Sequence, residues 1–357
     1  MSEKRKKVLV AVSGGVDSSV SAALLKEAGY EVEGAFIRTW TAPWLPCTWK
    51  DERRDAMRVA AQLHIPFHDV DLSELYEREV VDYLVSEYKA GRTPNPDVMC
   101  NKAVKFGGFF DWAMEHGFDR IATGHYAQVK TDKQGVVHMH AGKDAGKDQT
   151  YFLWTLGQEQ LARTLFPVGA MEKRDVRKEA SRFGLHTATK KDSQGVCFLG
   201  KLDMKEFLSH YIEPVPGDVL DENGKVIGSH DGAMYFTLGQ RHGFTIHHTT
   251  PDARPRYVTA KDIQANTITT SEEPLSEQMD GLSITIKQCN WISDAPSEGV
   301  RLQARLRYRQ KLFAVSVASL DTEQTILTLE EQQPFVPEGQ SVVLYDGDEC
   351  LGGGVIG

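Results

Sequence analysis

The chain has 357 residues, which is too long for one ordinary hydrophobic core, so its length predicts two or three domains. A net charge of −9 at pH 7 excludes a uniformly basic nucleic-acid-binding protein, so any such contact must come from local basic patches. The five cysteines contain no CxxC pair, which argues against a disulfide framework and a structural zinc site. No apolar run approaches the length of a membrane span or a signal peptide, so we expect no membrane partner. The cysteine pattern predicts a reduced, cytoplasmic protein, and we expect no resident metal.

Strand-like and helix-like segments alternate through the first two hundred residues. The predicted helices cover residues 18–27, 51–64, 74–89 and 102–117, and the predicted strands are VLVAV, VEGAFIRTW, PFHDVDL and RIATGHYAQV. This alternation predicts an α/β fold, a doubly wound, Rossmann-like parallel sheet with helices on both faces. Ligands bind such sheets beyond the carboxyl ends of the strands, where we expect the loops SGGVDSS and GHYA to emerge.

After about residue 200 the segments become short and β-rich, with Gly, Asn and Asp between them. They predict hairpins, including one around Asn223. From about residue 280, the runs SITIKQ, VRLQARLRYR, FAVSVASL, QTILTLEE and SVVLYD predict a small β-barrel. We therefore expect a catalytic domain at 1–200, a central β-rich domain at 201–275 and a C-terminal β-barrel domain at 276–357.

The sequence SGGVDSS, residues 13–19, lies between the first predicted strand and the first predicted helix. Such a glycine loop offers backbone N–H donors and the positive end of the helix dipole to a phosphate. Ser13, Ser18 and Ser19 add hydroxyl donors, and Asp17 is a candidate either for holding Mg²⁺ or for capping the helix. The alternative is a tight turn in which serine and aspartate serve only as caps. The lysine of a P-loop is missing, which disfavours γ-phosphate transfer.

Cys100 follows the segment TPNPDVM, whose two prolines bias the preceding residues away from helix. A helix is predicted to begin near Lys102, and a thiol close to a helix N-terminus and a lysine is expected to be available as thiolate. Asp97, three residues earlier, is a candidate general acid or base.

Cys197 is a second candidate for reactivity, because it lies in the polar, glycine-containing segment KKDSQGVCFLG. Cys47, Cys289 and Cys350 are interpreted as small buried hydrophobes.

A run of alternating cations lies in VRLQARLRYRQKL. Its basic residues all occupy odd positions, which share one face of a strand, and most even positions are apolar. The run predicts either a phosphate-binding row or a solvated outer face of the barrel; the basic residues are Arg301, Arg305, Arg307, Arg309 and Lys311.

The loop SGGVDSS resembles the pyrophosphate-binding loop of the N-type ATP pyrophosphatases, which split ATP between its α and β phosphates and adenylate an oxygen. Further segments, in order along nearly the whole chain, resemble the motifs of the tRNA-specific 2-thiouridylase family. They are TPNPDVMCNKAVKFG, ATGHYA, GKDQTYFLWTL, KKDSQGVCF, FTLGQRHG, RLRYRQ and PEGQSVVLYDGDECLGGGVIG. A local difference is Gln194 in DSQGVC, where the family commonly has threonine.

This resemblance implies a tRNA-uridine 2-sulfurtransferase that adenylates the C2 oxygen of the wobble uridine and replaces it with sulfur. The implied cofactors are ATP and Mg²⁺. The implied partners are tRNA and a cysteine desulfurase or sulfur-relay protein. Cys197 is implied to carry a persulfide, Cys100 to form a transient disulfide with Cys197, and Asp97 to be the acid/base carboxylate.

The resemblance also implies three sets of binding residues. The positions that match the ATP pocket are Ala11, Val12, Ser13, Gly14, Gly15, Val16, Asp17, Ser18, Ile37 and Gly124. The positions that match the segment meeting the target base are Asn95, Pro96 and Asp97. The positions that match tRNA contacts are His125, Lys147, Asp148, Gln149, Arg307, Tyr308 and Gln340.

Two other functions fit parts of the sequence. An ATP pyrophosphatase that amidates or ligates a small carboxylate would use the same loop but would not need two reactive cysteines. A non-catalytic RNA-binding protein would use the barrel alone, and it would bind tRNA without releasing AMP.

Overall fold

The computed structural model describes residues 6–44, 49–191, 204–247, 254–274 and 283–357. Its strands are β1 (Lys7–Ala11), β2 (Glu31–Arg38), β3 (Phe67–Asp71), β4 (Arg120–Ala122), β5 (Ala127–Thr131), β6 (Val137–Ala141), β7 (Thr164–Leu165), β8 (Gly217–Leu220), β9 (Val226–His230), β10 (Thr245–Ile246), β11 (Tyr257–Asp262), β12 (Thr267–Ser271), β13 (Ser283–Trp291), β14 (Arg301–Arg305), β15 (Phe313–Leu320), β16 (Gln324–Leu329), β17 (Ser341–Asp346) and β18 (Glu349–Ile356). Its α-helices are α1 (Val16–Glu27), α2 (Trp49–Leu63), α3 (Ser73–Tyr76), α4 (Asp82–Lys89), α5 (Pro96–Met99), α6 (Phe109–Glu115), α7 (Gln158–Ala162), α8 (Lys173–Arg182) and α9 (Met204–Ser209).

The predicted parallel sheet is present, and within the described residues it has five strands in the order β3-β2-β1-β4-β7. Side chains of β1 alternate between two cores, as the period of a strand requires. Val8 and Val10 pack in the core that contains Val20 and Ala56, whereas Leu9 packs with the aromatic residues around Phe106. The sheet is therefore covered on both faces, which confirms the doubly wound fold. The chain order reverses between β1 and β4, so a ligand site is expected beyond these two strands.

The predicted strand RIATGHYAQV is wrong as a single strand, because the chain leaves the parallel sheet after β4 and enters a hairpin at β5. The break lies at Gly124, which packs directly on the start of α1. A Cβ atom at Gly124 would lie 2.7 Å from the backbone nitrogen of Ser18, so this close approach needs glycine.

The helix predicted to begin near Lys102 begins six residues earlier, at Pro96. Asn95 is its N-cap, and its Oδ1 accepts the backbone N–H of Val98 at 3.4 Å. The helix continues through a π-helical segment, Cys100–Gly108, into α6. A second π-helical segment, Glu77–Val81, likewise joins α3 to α4. Cys100 therefore lies inside a helix rather than in a loop before one.

The central β-rich part of the chain forms a sheet in the order β10-β9-β8-β12-β11 among the described residues. The hairpin predicted around Asn223 is confirmed as the β8–β9 turn. Asp221 Oδ1 accepts the backbone N–H groups of Asn223 and Lys225, each at 2.9 Å, and Gly224 supplies the positive φ of +78° that the turn needs.

The predicted C-terminal barrel is also confirmed. In the part of the chain that the structure describes, six strands follow one another in the order β13-β16-β15-β14-β17-β18, and pairing between β13 and β18 closes the ring. Its interior is filled by buried aliphatic side chains, among them Ile286, Ala304, Val315, Val317, Leu327, Val342 and Leu344.

The barrel and the first domain share a sheet and a core. The β5–β6 hairpin, which precedes the barrel by more than a hundred residues, pairs with β18 through Met139 and His140. Val343, Tyr345 and Cys350 of the barrel pack in the same core as Leu9 of β1. No helix among the described residues is long and apolar enough to span a membrane.

Candidate active site

The loop after β1 is shaped by glycine and by its own serine hydroxyls. Gly14 has a φ of +73°, and a Cβ atom there would lie 2.8 Å from the Glu52 carbonyl oxygen, so only glycine fits. The Oγ atoms of Ser13 and Ser18 lie 3.2 Å apart, and Ser19 Oγ donates to the Gly15 carbonyl at 2.7 Å. The loop is thus pre-organised at the N-terminus of α1, where backbone N–H groups favour an anion.

Asp17 does not cap helix α1, so that alternative from the sequence is wrong. The N-cap is Gly15, which makes no side-chain cap hydrogen bond. Asp17 lies in the first turn of α1, where both its carboxylate oxygens accept from Lys173 Nζ, at 2.8 and 2.7 Å. The hydroxyl of Tyr126 also donates to Asp17, at 2.7 Å.

Two lysines from distant parts of the chain flank the loop that lacks a lysine of its own. Lys173 begins α8 and contacts Asp17, as described above. Lys190 Nζ lies 3.0 Å from the Gly14 carbonyl oxygen and 2.7 Å from Asp55 Oδ2 on α2. The paired ammonium holds the pKa of Asp55 below its ordinary value. Neither lysine was assigned to the loop from the sequence, although Lys190 was noted beside Cys197.

The remaining positions predicted for the ATP pocket follow from the strands that carry them. Ala11 ends β1, and Ile37 lies near the carboxyl end of the neighbouring β2. Val12 and Val16 are buried in the core beside α1, so their side chains support the loop and do not face a ligand.

His125 joins the phosphate loop to the helix that carries Asp97. It follows Gly124, which packs on α1, and its ring centroid lies 5.7 Å from that of Phe106 in the π-helical segment. Its Nδ1 lies 2.8 Å from Thr123 Oγ1. Burial, together with the nearby Lys105 charge, lowers the pKa of His125 well below its ordinary value, so the imidazole is neutral.

Asp97 lies in a buried environment beside the Lys105 ammonium. Burial raises the pKa of Asp97 above the ordinary value for a carboxyl, and the Lys105 charge opposes that rise. Lys105 Nζ donates to Asn101 Oδ1 at 3.0 Å, one helical turn away. Lys105 thus influences both Asp97 and His125, although the sequence reasoning gave it no role. A carboxyl with a raised pKa beside a cation is suited to proton transfer.

Cys100 is on the same helical segment as Asp97 but is only 5% exposed. It packs in the core that contains Trp40, Tyr76 and Phe207, at the contact between the first and central domains. Its predicted partner Cys197 lies outside the described residues. The predicted Cys100–Cys197 disulfide therefore stays a prediction.

The segment Lys147, Asp148 and Gln149 docks on the loop that carries His125. Gln149 Oε1 accepts the backbone N–H of Tyr126 at 3.0 Å, and the Gln149 N–H donates to the Tyr126 carbonyl at 2.9 Å. Asp148, in contrast, is 2% exposed and faces the protein. Its Oδ2 accepts from Arg305 Nη1 at 2.6 Å, and its Oδ1 accepts the backbone N–H groups of Gly142 and Thr150.

The Asp148→Ala variant should lower the free energy of unfolding by about 3–5 kcal/mol, because it leaves the Arg305 guanidinium buried without its carboxylate. Urea denaturation followed by circular dichroism measures this loss. Arg301→Ala is the matched control, since Arg301 is exposed and pairs with Glu330 at the surface. Equal stability of both variants would show that the buried pair does not hold the barrel to the first domain.

The predicted row of cations on one strand is wrong beyond its first members. Strand β14 ends at Arg305, and the next residues form a turn in which Arg309 has a φ of +65°. Arg301 pairs with Glu330, and Arg305 points inward to Asp148. The turn starts here because Gln310 Oε1 accepts the backbone N–H groups of Leu306 and Arg307.

Of the three predicted tRNA positions in the barrel, Tyr308 and Gln340 contact segments next to the helix of Asp97, whereas Arg307 contacts the barrel itself. The ring of Tyr308 lies 4.6 Å from that of Phe152, whose carbonyl accepts from Asn101 Nδ2. Gln340 Nε2 donates to the carbonyls of Thr93 and Pro94, directly before Asn95. Arg307 is exposed and donates to the Phe335 carbonyl at 2.7 Å.

These features define a doubly wound α/β domain with a glycine loop at the switch point of its sheet, followed by a β-rich domain and a closed β-barrel. Family models described as a tRNA methyl transferase HUP domain, a tRNA methyl transferase PRC-barrel domain and an aminomethyltransferase beta-barrel domain match residues 6–201, 205–272 and 282–356. The chain is 47% identical to the tRNA-specific 2-thiouridylase MnmA of Enterococcus faecalis, over 98% of this chain and 95% of that protein. It is 46% identical to the protein of the same name from Geobacillus thermodenitrificans, over 98% of this chain and 94% of that protein. The chain belongs to the tRNA-specific 2-thiouridylase family.

A solved 4-thiouridine synthetase in complex with RNA and ATP is 20% identical, with a TM-score of 0.36, over 57% of this chain and 50% of that chain. This similarity is too low to assign a function to any residue.

Proposed function

We propose that this enzyme converts the wobble uridine of tRNA to 2-thiouridine, with ATP activating the oxygen that leaves. The observation that carries the proposal is the contact series from the phosphate loop through Gly124 and His125 to the helix of Asp97. It joins a site for pyrophosphate to a proton-transfer group within one wall. An enzyme that adenylates uridine needs both, because N3 must lose its proton while O2 bonds to phosphorus and pyrophosphate departs.

The phosphate loop would bind the β and γ phosphates of ATP, whose donors are the N–H groups and hydroxyls of residues 13–18. Mg²⁺ in nucleotide sites uses one or two carboxylates together with phosphate oxygens. Asp17 fits that pattern, although its carboxylate contacts Lys173 and Tyr126; no group of three or more candidate metal-ligating side chains occurs among the described residues. A bound Mg²⁺ would neutralise part of the charge on the departing pyrophosphate.

Asp97 is proposed as the base that takes the N3 proton of uridine, which makes O2 a better nucleophile. O2 attacks the α phosphorus, the bond to the β-phosphate oxygen breaks, and pyrophosphate leaves. Neutral His125 and the target-base segment at Asn95 and Pro96, which starts the helix of Asp97, would hold the unstacked base. The product of this step is a uridine with AMP on its C2 oxygen.

Sulfur transfer would use the two cysteines implied by the family. The terminal sulfur of a Cys197 persulfide supplies the atom that bonds to C2, and AMP leaves with the original oxygen. Cys100 attacks the inner sulfur of Cys197, either before or after C2 is reached. Both orders end in the same Cys100–Cys197 disulfide, which an external dithiol must reduce. A cysteine desulfurase or a sulfur-relay protein would reload Cys197 in the cytoplasm.

The predicted tRNA contacts would come from two domains. Lys147, Gln149 and His125 belong to the catalytic domain at 1–200, whereas Arg307, Tyr308 and Gln340 belong to the barrel at 276–357. The hydrogen bonds from Gln340 to Thr93 and Pro94 support this division, because they fix the barrel against the segment that meets the target base.

The test is a single-turnover reaction with unmodified tRNA, ATP, Mg²⁺ and a cysteine desulfurase that supplies persulfide. We expect one AMP and one pyrophosphate for each 2-thiouridine formed. A tRNA with cytidine at the wobble position is the control and should release neither product above background. Pyrophosphate released equally with both tRNAs would reject uridine as the acceptor.

The Lys173→Ala variant should slow pyrophosphate release by about a hundredfold, because the loop has no cation of its own and loses a donor to the developing charge. Rapid-quench measurement of pyrophosphate on a preformed enzyme–tRNA complex isolates this step. Lys178→Ala lies on the same helix, pairs only with exposed Asp175 in the described structure, and should react at the wild-type rate. A rate for Lys173→Ala within threefold of wild type would contradict a role in phosphate chemistry.

A further inference from the structure

A cavity of about 160 Å³ lies between the first domain and the barrel. Its walls come from the helical segment that starts after Asn95, from Trp154 and Thr155, and from the barrel around Gln288. We call this cavity the interdomain pocket. One water molecule occupies about 30 Å³ of liquid, so the pocket has room for a larger ligand.

Two buried polar atoms in the wall of the interdomain pocket lack a hydrogen-bond partner in the described part of the chain. They are Nε1 of Trp154, a residue that is 3% exposed, and Oγ1 of Thr155. Buried polar groups in folded proteins nearly always have partners. The indole N–H can only donate, so a ligand that pairs with Trp154 must offer an acceptor.

The barrel wall of the interdomain pocket is built by an irregular stretch of β13. The pairing of β13 with β18 shifts register between Lys287 and Asn290, and Gln288 has a φ of +51°. Such bulges redirect side chains and are frequent beside functional sites. Asn290 Nδ2 donates to the Trp154 carbonyl at 2.8 Å, so the bulge also fixes the turn that carries the two unpartnered atoms.

The interdomain pocket lies on a different face of the helix from the proposed catalytic groups. Asn95, Met99 and Lys102 line it, whereas Asp97 and Cys100 of the same segment do not. Residues three and four apart share a helix face, which explains this separation. One helical segment therefore carries Asp97 and also lines the interdomain pocket. Asn95 belongs to both the target-base segment and the pocket wall, so a ligand in the pocket would lie next to the reacting base.

We propose that the interdomain pocket binds a second nucleobase of the tRNA, one that neighbours the target uridine; this inference rests on the proposed function. Base edges alternate carbonyl acceptors with N–H donors, which suits an indole N–H, a hydroxyl and the amide of Gln288. The ring of Tyr83 in the wall offers a stacking surface. Lys102 is exposed in the rim of the pocket, where the phosphate attached to that base would lie.

The test measures binding of an anticodon stem-loop RNA by fluorescence anisotropy at fixed salt. Thr155→Val removes the hydroxyl while it keeps the shape, and Trp154→Phe removes the N–H while it keeps an aromatic ring. Each variant should raise Kd about fivefold, the usual effect of one lost hydrogen bond. Two further RNAs are each abasic at one of the two neighbours of the wobble position. With the RNA that lacks the base bound in the interdomain pocket, variants and wild type should bind equally. Trp112→Phe, at a half-buried position on α6 outside the pocket, is the matched control and should bind like wild type.

Two results would overturn the proposal: unchanged Kd values in both variants, or equal losses with the intact RNA and with each abasic RNA. Titration with free AMP and UMP separates the two sources of a base. Weaker mononucleotide binding in Thr155→Val, with RNA binding unchanged, would assign the pocket to a free nucleotide and reject it as an RNA subsite. If wild-type protein forms thiouridine and the variants bind RNA normally, only this inference is rejected and the proposed function stands. Wild-type protein that neither binds the stem-loop nor forms thiouridine rejects the proposed function as well.

Discussion

Replacing Cys197 by serine should abolish 2-thiouridine formation and leave a full first burst of pyrophosphate release. In the proposed mechanism the glycine loop, Lys173 and Asp97 would activate the uridine without sulfur, so adenylation would not need the thiol. Serine cannot carry a persulfide, so no sulfur reaches C2. Quantifying pyrophosphate and thiouridine in the same single-turnover samples measures both halves of the reaction. The expected loss of thiouridine is complete, which makes it the largest effect we predict.

Cys350→Ala is the matched control for this variant. Cys350 is 1% exposed in the core shared by the barrel and the first domain, and burial raises the pKa of its thiol, so it is inert. It should form thiouridine at the wild-type yield. Undiminished thiouridine in Cys197→Ser would move the sulfur carrier to another cysteine, and a missing pyrophosphate burst would mean that the variant disturbs the ATP site.

The Asp97→Asn variant should lower the single-turnover rate of pyrophosphate release by about 10²–10⁴, the usual contribution of a general base. The amide cannot accept the N3 proton, although it keeps the shape of the side chain. Burial raises the pKa of Asp97, so its carboxylate form is lost as pH falls, and at a higher pH than for an ordinary carboxyl. The wild-type rate should therefore fall on the acidic side, and that limb should vanish in Asp97→Asn.

Asp111→Asn tests whether any carboxyl with a raised pKa produces this limb. Partial desolvation also raises the pKa of Asp111 on α6, which belongs to neither proposed site. Its replacement should leave both the rate and the acidic limb unchanged. An acidic limb that persists in Asp97→Asn would assign the titration to another group and remove Asp97 as the base.

The features that were correctly predicted come from local patterns. The glycine loop, the alternating strands of the doubly wound sheet and the hairpin at Asn223 each follow from a few neighbouring residues. The start of the Asp97 helix was also readable, because Asn followed by Pro is a common N-cap and first helical residue. The prediction placed the start at Lys102 because it weighed the prolines only as helix breakers.

The features that were missed depend on contacts between distant residues. Lys173 and Asp17 are 156 positions apart, and no spacing rule connects a lysine at the start of one helix with the first turn of another. Arg305 fits the strand alternation, yet it turns inward because buried Asp148, from the first domain, accepts its charge. The interdomain pocket likewise exists only where the barrel meets the helix after Asn95.

The pairing of the β5–β6 hairpin with β18 has a consequence for synthesis of the chain. His138 and Glu349, which join across this pair, are 211 positions apart. At roughly 5–20 residues per second, the ribosome therefore needs about 10–40 s after making the hairpin before its partner strand exists. During that time β6 is an open edge, a surface prone to wrong pairing. A chain that stops before β18 also lacks Cys350, which packs in the same core as Leu9 of β1, so this core is completed only after β18 has been made.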